Sequence, residues 1–536
     1  MRAATNAVDV ERDVKIPMPD GAVLLADVWH PVGVDHAPTI LERTPYGRMN
    51  LSTWDPSGQS LAERGYRFIL QAVRGTDGSE GSQSFFAERD DGRATADWIA
   101  AQPWFDGRLG TYGASYMGFT QWALASTDPP SLDAMVVSLS SRRSGWFAGG
   151  ALALELMINW DLSALAFLHP ERGGFAQDIT PEGVERQQRM LKTAFDHLPV
   201  GDALVHVAGE NHPLFEQQVA HPSIDDPHWA PLQFEPMLDR WTVPTLLIDG
   251  WFDFPLPGVC DDYRALRADG APVAMRIGGG GHLDGGGEGA LAASLAWFDR
   301  YLSGDESVDV GAPVAAHVQG EGGQWRDLAD WPPPASVPTR WYLHERGRLG
   351  TGAPIGESSA DTYRYDPADP TPSLGGTGLM TGAMVDNAPL EGRADVLCYT
   401  SDALDTPIEL LGPVEAELVV TSTLDHTDFF VRVCDVHPDG RSFNVCDGLQ
   451  RFDPGTVARR GDGTFVAVVR LWPIGHRFGA GHRIRVQVSS GAHPVYGRNL
   501  GTGEPPAAAT AMRVADQAVF HDPEHRSWVT LPHFPG

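Results

Sequence analysis

The chain has 536 residues, too many for one hydrophobic core, and at about 150 residues per domain it is expected to fold as about two to four domains. A formal net charge of −30 would repel phosphate backbones and argues against a nucleic-acid partner, while 42% hydrophobic residues with 16 Trp and 22 Phe suffice for packed interiors. The four cysteines, Cys260, Cys398, Cys434 and Cys446, show neither C-x-x-C spacing nor paired histidine ligands, so neither a zinc site nor a redox motif is expected.

The N-terminus MRAATNAVDVERDV has no apolar run of the signal-peptide kind, and no stretch of about 18 consecutive apolar residues occurs. A cytoplasmic protein with no membrane partner is the expectation. Residues 12 to 30 alternate apolar and polar positions around Pro19, Asp20 and Gly21, the pattern of a β-hairpin. PTILERTPYG is the next strand and ends at Tyr46. RFILQAVRG, from Arg67, is a third strand; it follows the helix-like SLAERGY and leads into a Gly/Ser/Asp loop through Gly81. A helix from about Asp90 to Ala101 then delivers the chain to RLGTYGASYMGFTQWALA, residues 108 to 125. This stretch reads as a strand, a glycine-bracketed turn and a helix, with Ser115 at the tip. Gly113 and Gly118 give the spacing G-x-S-x-x-G, with Met117 where the commoner G-x-S-x-G motif has its second glycine.

MVVSLSS, from Met135, is a further buried strand. From about Ser144 to Pro236 the chain shows helical periodicity and clusters of Trp, Leu and Met with no comparable strand, as expected of a helical insertion over the ligand-binding edge of an α/β sheet. Strands resume at residues 243 to 251 and 272 to 281, and the helix ALAASLAWFDRYL follows. Beyond Ser303 short alternating strands predominate. VEAELVVTS places Val414, Ala416, Leu418 and Val420 on one face, and HRIRVQVSS alternates Ile484, Val486 and Val488 with Arg483, Arg485 and Gln487. Such a pattern predicts a β-sandwich or jelly roll.

A serine hydroxyl is a weak nucleophile at neutral pH, so it needs a histidine base and a carboxylate that fixes the histidine tautomer. In the chain order Ser, Asp, His, the two strands after the helical insertion supply both partners. The first runs into a loop with Asp249 and Asp253, and the second into a glycine-rich loop ending at His282. On pattern alone either aspartate serves. Asp284 is a weaker rival, because its own loop would have to fold back.

RTPYG, VRGTDGSEG, DWIAAQPW, GASYMG, GWFD and GGH, with DFFVRVCDVHPDGRS, RFDPG and SSGAHPVYGRNLGTG in the C-terminal region, resemble the X-prolyl dipeptidyl-peptidase family of serine hydrolases. That family includes the cocaine esterase and α-amino-acid ester hydrolase branches. The resemblance covers nearly the whole chain and implies an α/β-hydrolase sheet (residues 1–143 and 241–305) with an inserted helical cap (144–240) and a C-terminal jelly roll (306–536). It implies the elbow form G-x-S-Y-x-G, selects Asp253 over Asp249, and gives an oxyanion hole from the Tyr46 hydroxyl and the backbone N–H of Tyr116. Ala72 departs from the family, which usually has an aspartate there, and is expected to loosen the loop beneath the elbow.

The reading that follows is an ester or amide hydrolase working through an acyl-enzyme. Ser115 is the nucleophile, His282 the base and Asp253 the orienter; no cofactor or metal is required. The expected partner is a small-molecule ester or amide, and a homodimer is left open as the assembly. Trp146 and Trp160 in the cap, with Trp251, Phe252 and Phe254 around Asp253, are expected to line the substrate pocket and favour neutral acyl groups. Arg142 and Arg143 are the feature that would overturn this preference, as a carboxylate clamp. An X-Pro aminopeptidase or amino-acid ester hydrolase would instead need acidic groups such as Asp161, Glu210, Asp225 or Asp226 to hold an ammonium. An acyltransferase would use the same triad, and a non-catalytic binding protein would leave the elbow inert.

Overall fold

The computed structural model describes residues 2–49, 57–168, 180–237, 241–284 and 286–535. The N-terminal hairpin is β1 (Val8–Pro17) and β2 (Val23–Pro31), antiparallel, with the chain reversing through Pro19, Asp20 and Gly21. β3 (Ala37–Thr44), α1 (Ser57–Ala62), β4 (Arg67–Ala72), α2 (Glu88–Ala100), β5 (Phe105–Ala114), α3 (Tyr116–Ala125) and β6 (Ala134–Ser138) follow as alternating strands and helices. Every residue of β3, β4 and β6 is buried. That is why their apolar stretches, such as Ile40–Leu41, Phe68–Leu70 and Met135–Val137, are continuous rather than alternating: helices cover both faces of a parallel sheet.

Between β6 and the next sheet strand lie a hairpin of two-residue strands (Phe147–Ala148 and Ala151–Leu152), α4 (Leu154–Leu168), α5 (Pro181–Asp196), α6 (Ala203–Ala208) and α7 (Pro213–Ala220). The helical character expected from residue 144 is present, and the hairpin adds a small β element too short to leave a period in the sequence. β7 (Thr245–Phe252), α8 (Leu256–Ala268), β8 (Val273–Gly281) and α9 (Ala290–Trp297) return the chain to the sheet. α9 continues through one π-helical turn, Phe298–Leu302.

The hydrogen-bonded order is β1-β2-β4-β3-β5-β6-β7-β8, parallel from β4 through β8. The sheet does not stop where the sequence texture changes. β9 (Val314–Gly320) pairs parallel with β8, and β10 (Gln324–Leu328) pairs antiparallel with β9. Gln319 of β9 in turn pairs with His476, so the α/β sheet runs by hydrogen bonds into the C-terminal β domain.

In that domain the long strands Ile408–Ser422 and Phe465–Phe478 are antiparallel, and Thr427–Val436 lies between Ser442–Phe452 and Arg483–Ser489. Val414, Ala416, Leu418 and Val420 are buried, as are Ile484, Val486 and Val488, which places the predicted faces of both strands in the core. Among the described residues no helix is long and apolar enough to cross a membrane.

Candidate active site

Ser115 forms the turn between β5 and α3 with φ 58° and ψ −121°, a backbone conformation that a non-glycine residue holds only when its surroundings enforce it. The flanking glycines permit the turn. A Cβ on Gly113, whose φ is +135°, would fall 2.4 Å from the Cβ of Met117. On Gly118 it would fall 2.5 Å from the Cβ of Ser140 and 3.1 Å from the Ser138 carbonyl oxygen. The close approach of α3 to the chain leaving β6 therefore occurs one residue later than in G-x-S-x-G, and Met117 is free to enter the core. The Ser115 N–H donates to the Ser138 carbonyl at 2.9 Å and pins the tip to β6. Beneath it, buried Glu88 accepts the Tyr116 hydroxyl at 2.7 Å and pairs with buried Arg43 at 2.8 Å. The loop after Ala72 is not loose. Ser79 donates to the Ala72 carbonyl at 2.9 Å, and Arg74 pairs with Asp91 at 2.6 Å.

His282 follows β8. Its Nε2 lies 2.8 Å from Ser115 Oγ, and its Nδ1 lies 2.8 and 3.0 Å from the two oxygens of Asp253. Asp253 is 0% exposed, and the indole N–H of Trp472 donates to its carbonyl at 2.9 Å, so the C-terminal domain helps to fix the loop that carries it. Asp284 accepts the N–H of Gly281 at 2.7 Å and closes its own loop.

Asp249 is equally buried, and its Oδ1 accepts the N–H of Gly250 at 2.7 Å. Burial pushes its carboxyl well above the usual range, and the charge of Asp253 adds to this. Burial raises Asp253 too, and a hydrogen bond from Asp249 opposes that rise. The two buried carboxyls therefore influence each other's ionisation. Burial also pushes the His282 imidazole down, to about 4, with Asp249 and Glu155 opposing. A neutral ring whose Nδ1–H donates to Asp253 presents Nε2 as an acceptor to Ser115.

Tyr46, just beyond β3, hydrogen-bonds the Ser115 side chain through its hydroxyl and accepts the indole N–H of Trp160 at 3.4 Å. Burial raises its pKa, which keeps the phenol protonated and able to donate. Tyr116 is the first residue of α3, so its N–H has no acceptor within the helix.

The pocket beside Ser115 is lined by Trp146, Trp160 and Phe254 among the predicted residues, and by Phe85, Phe119 and Leu156, which the sequence reading missed. Phe85 is the hub of this wall, with its ring centre 4.7 Å from that of Tyr116 and 5.2 Å from those of Trp146 and Trp160. It lies in a single 3-10 turn, too short to leave a periodic signal.

Trp251 and Phe252 are not pocket residues. Trp251 is 3% exposed, donates to the His317 carbonyl at 2.6 Å and packs on Trp331, while Phe252 is buried in the same core. Both belong to β7 itself, and Trp251 faces the seam with the C-terminal domain, whereas Phe254 lies beyond the strand and turns to His282, 4.8 Å away between ring centres.

Arg142 is tied to Asp262 at 2.8 Å and buried, so it cannot act as a clamp. Arg143, the other residue of the expected clamp, does line the pocket; its side chain is 46% exposed and lies 3.6 Å from Asp225. Asp161 is buried against His212 at 2.6 Å. None of Asp161, Glu210, Asp225 and Asp226 lines the Ser115 pocket.

Comparison with known proteins bears on this geometry. Residues 20–284 match the model of the X-Pro dipeptidyl-peptidase (S15 family), and residues 307–530 match that of the X-Pro dipeptidyl-peptidase C-terminal non-catalytic domain. The chain is 33% identical to the cocaine esterase of Rhodococcus sp. (strain MB1 Bresler) over 98% of each chain. It is similar in fold to an aminopeptidase from the marine sediment archaeon Thaumarchaeota archaeon, with TM-score 0.82, 24% identity, and 99% and 97% of the two chains covered. An α-amino acid ester hydrolase gives TM-score 0.82 at 23% identity with the same coverage.

Proposed function

The chain belongs to the X-Pro dipeptidyl-peptidase (S15) family of serine hydrolases, and from that premise we propose that it cleaves carboxylic esters through an acyl-enzyme formed on Ser115. The observation that carries this reading is the continuous hydrogen-bonded series Ser115–His282–Asp253 at the tip of the elbow. His282 takes the Ser115 proton as Oγ attacks the ester carbonyl, and Asp253 stabilises the imidazolium that results. The imidazolium then protonates the departing alkoxide, and the same base activates water to release the acid. The Tyr46 hydroxyl and the Tyr116 N–H supply the two donors that the tetrahedral oxyanion requires, the second at a helix N-terminus where the backbone dipole also favours negative charge.

If Tyr46 has this role, Tyr46→Phe removes one oxyanion donor and keeps the ring. Transition-state stabilisation is then expected to fall by about 3 kcal/mol, roughly 10²-fold in kcat, with a smaller change in KM. Equal kcat values for the two proteins would assign the oxyanion to another donor.

Ester cleavage is favoured over release of X-Pro dipeptides or hydrolysis of amino-acid esters because, among the described residues, the only charged side chain lining the pocket is Arg143. A substrate ammonium would find no carboxylate there. Glu155, near His282, already accepts the N–H groups of Leu379 at 2.6 Å and Met380 at 3.0 Å. The aromatic wall suits a neutral aromatic or medium-chain acyl group. The pocket shares Arg143, Leu156 and Phe254 with a larger groove between the cap and the C-terminal domain, which gives a bulky leaving group room.

The expected result is a higher kcat/KM for a neutral ester than for a matched carboxylate-bearing one at two salt concentrations, with Trp160→Ala reducing the difference. Faster cleavage of the anionic ester would show Arg143 acting as a clamp and overturn the preference.

A further inference from the structure

We propose that Asp435, His437 and His482, in the C-terminal β domain, form a binding site for one divalent transition-metal cation of the zinc type. Asp435 and His437 are two apart at the end of strand Thr427–Val436, so an extended chain turns both to one side. In the ladder with the neighbouring strand Val436 pairs with Arg483, and one step further on His482 comes opposite His437. Asp435 Oδ1 lies 2.8 Å from His482 Nδ1, Asp435 Oδ2 lies 3.6 Å from His437 Nε2, and one ligand atom from each residue falls within 4.8 Å of the others. Bonds of about 2.0 Å in a tetrahedral site need ligand atoms about 3.3 Å apart, so small side-chain shifts suffice to close on an ion.

The surroundings suit that role. His476, on strand Phe465–Phe478, places Nε2 2.9 Å from Asp435 Oδ2. Its Nδ1 is buried without a partner, so the neutral ring carries its proton on Nε2 and donates it to the carboxylate. A histidine that holds a ligating carboxylate in place from outside the metal's own shell is a common support of metal sites. The Asp435 side chain is 1% exposed and that of His437 is 30% exposed, so the site is closed at the carboxylate and open to entry and to a water ligand at the other end.

Two imidazoles and one carboxylate select zinc, nickel or copper over magnesium and calcium. The ion takes the place of the proton between His482 and Asp435, and the His482 ring then carries that proton on Nε2. Because His476 pairs with Gln319 of β9, a bound ion stiffens the seam between the two sheets.

The test is titration of the full-length protein, stripped with a chelator, with Zn²⁺ alone by calorimetry and thermal melting. The expected result is one tight equivalent and a Tm raised by about 3 °C or more, with no change on adding Mg²⁺. His437→Ala, at a partly exposed position, and His482→Asn are both expected to lose the tight equivalent and the Tm gain while keeping the metal-free Tm within a few degrees. Binding and Tm gain that persist in His437→Ala, or no binding by the stripped wild type at about 50 µM Zn²⁺, would overturn the proposal.

Discussion

Ser115→Ala is expected to lower turnover of an activated ester by ~10⁴-fold or more while the protein stays folded, since the proposed nucleophile cannot be replaced by a neighbour. The Ser115 side chain is half-buried and bonds to His282 and Tyr46. Removing one hydroxyl opens no large cavity, and alanine tolerates the turn's positive φ no worse than serine does. Melting temperature and turnover measured on the same preparation separate the two effects. Near-normal kcat in a variant that melts with the wild type would remove Ser115 from the reaction.

The second large effect separates two aspartates that sequence pattern alone does not distinguish. Asp253→Asn replaces the acceptor of the His282 Nδ1–H by an amide, whose N–H favours the opposite tautomer, and kcat is expected to fall ~10⁴-fold. Asp249→Asn keeps the side chain's shape and an oxygen to accept the Gly250 N–H, which Asp249 Oδ1 accepts at 2.7 Å. Its kcat is expected to stay within about tenfold of wild type, with the loss appearing in stability, where one altered buried hydrogen bond costs about 1–3 kcal/mol. Reversed kinetic losses would make Asp249 the orienter.

How far the sequence carried the argument differs from residue to residue. The elbow was legible because its constraint is local: Gly113 and Gly118 answer to contacts made within a few residues of Ser115 and at the end of the next strand. The order serine, aspartate, histidine was legible because parallel strands bring their C-terminal loops to one edge, while the choice of Asp253 over Asp249 came only from the family resemblance. The periodic faces at Val414 to Val420 and Ile484 to Val488 were legible because one side of each strand meets the core.

Trp251 and Phe252 were misplaced because adjacency to Asp253 in sequence does not show what lies against the other side of β7. There a Cβ on Gly475 would fall 2.2 Å from the Trp251 ring, so the indole is already enclosed by the C-terminal domain. Phe85 was missed for the opposite reason, as a single 3-10 turn gives no period. The Asp435, His437 and His482 cluster escaped a search by ligand spacing because a strand ladder, rather than a short sequence interval, brings its parts together.

The central claim, an acyl-enzyme formed on Ser115, is tested most directly by intact-mass measurement after exposure to a fluorophosphonate probe. The account predicts one covalent adduct, located on Ser115, absent from Ser115→Ala and slowed by an ester that the enzyme turns over. An unlabelled wild type that still hydrolyses esters, or the same adduct in Ser115→Ala, would contradict it.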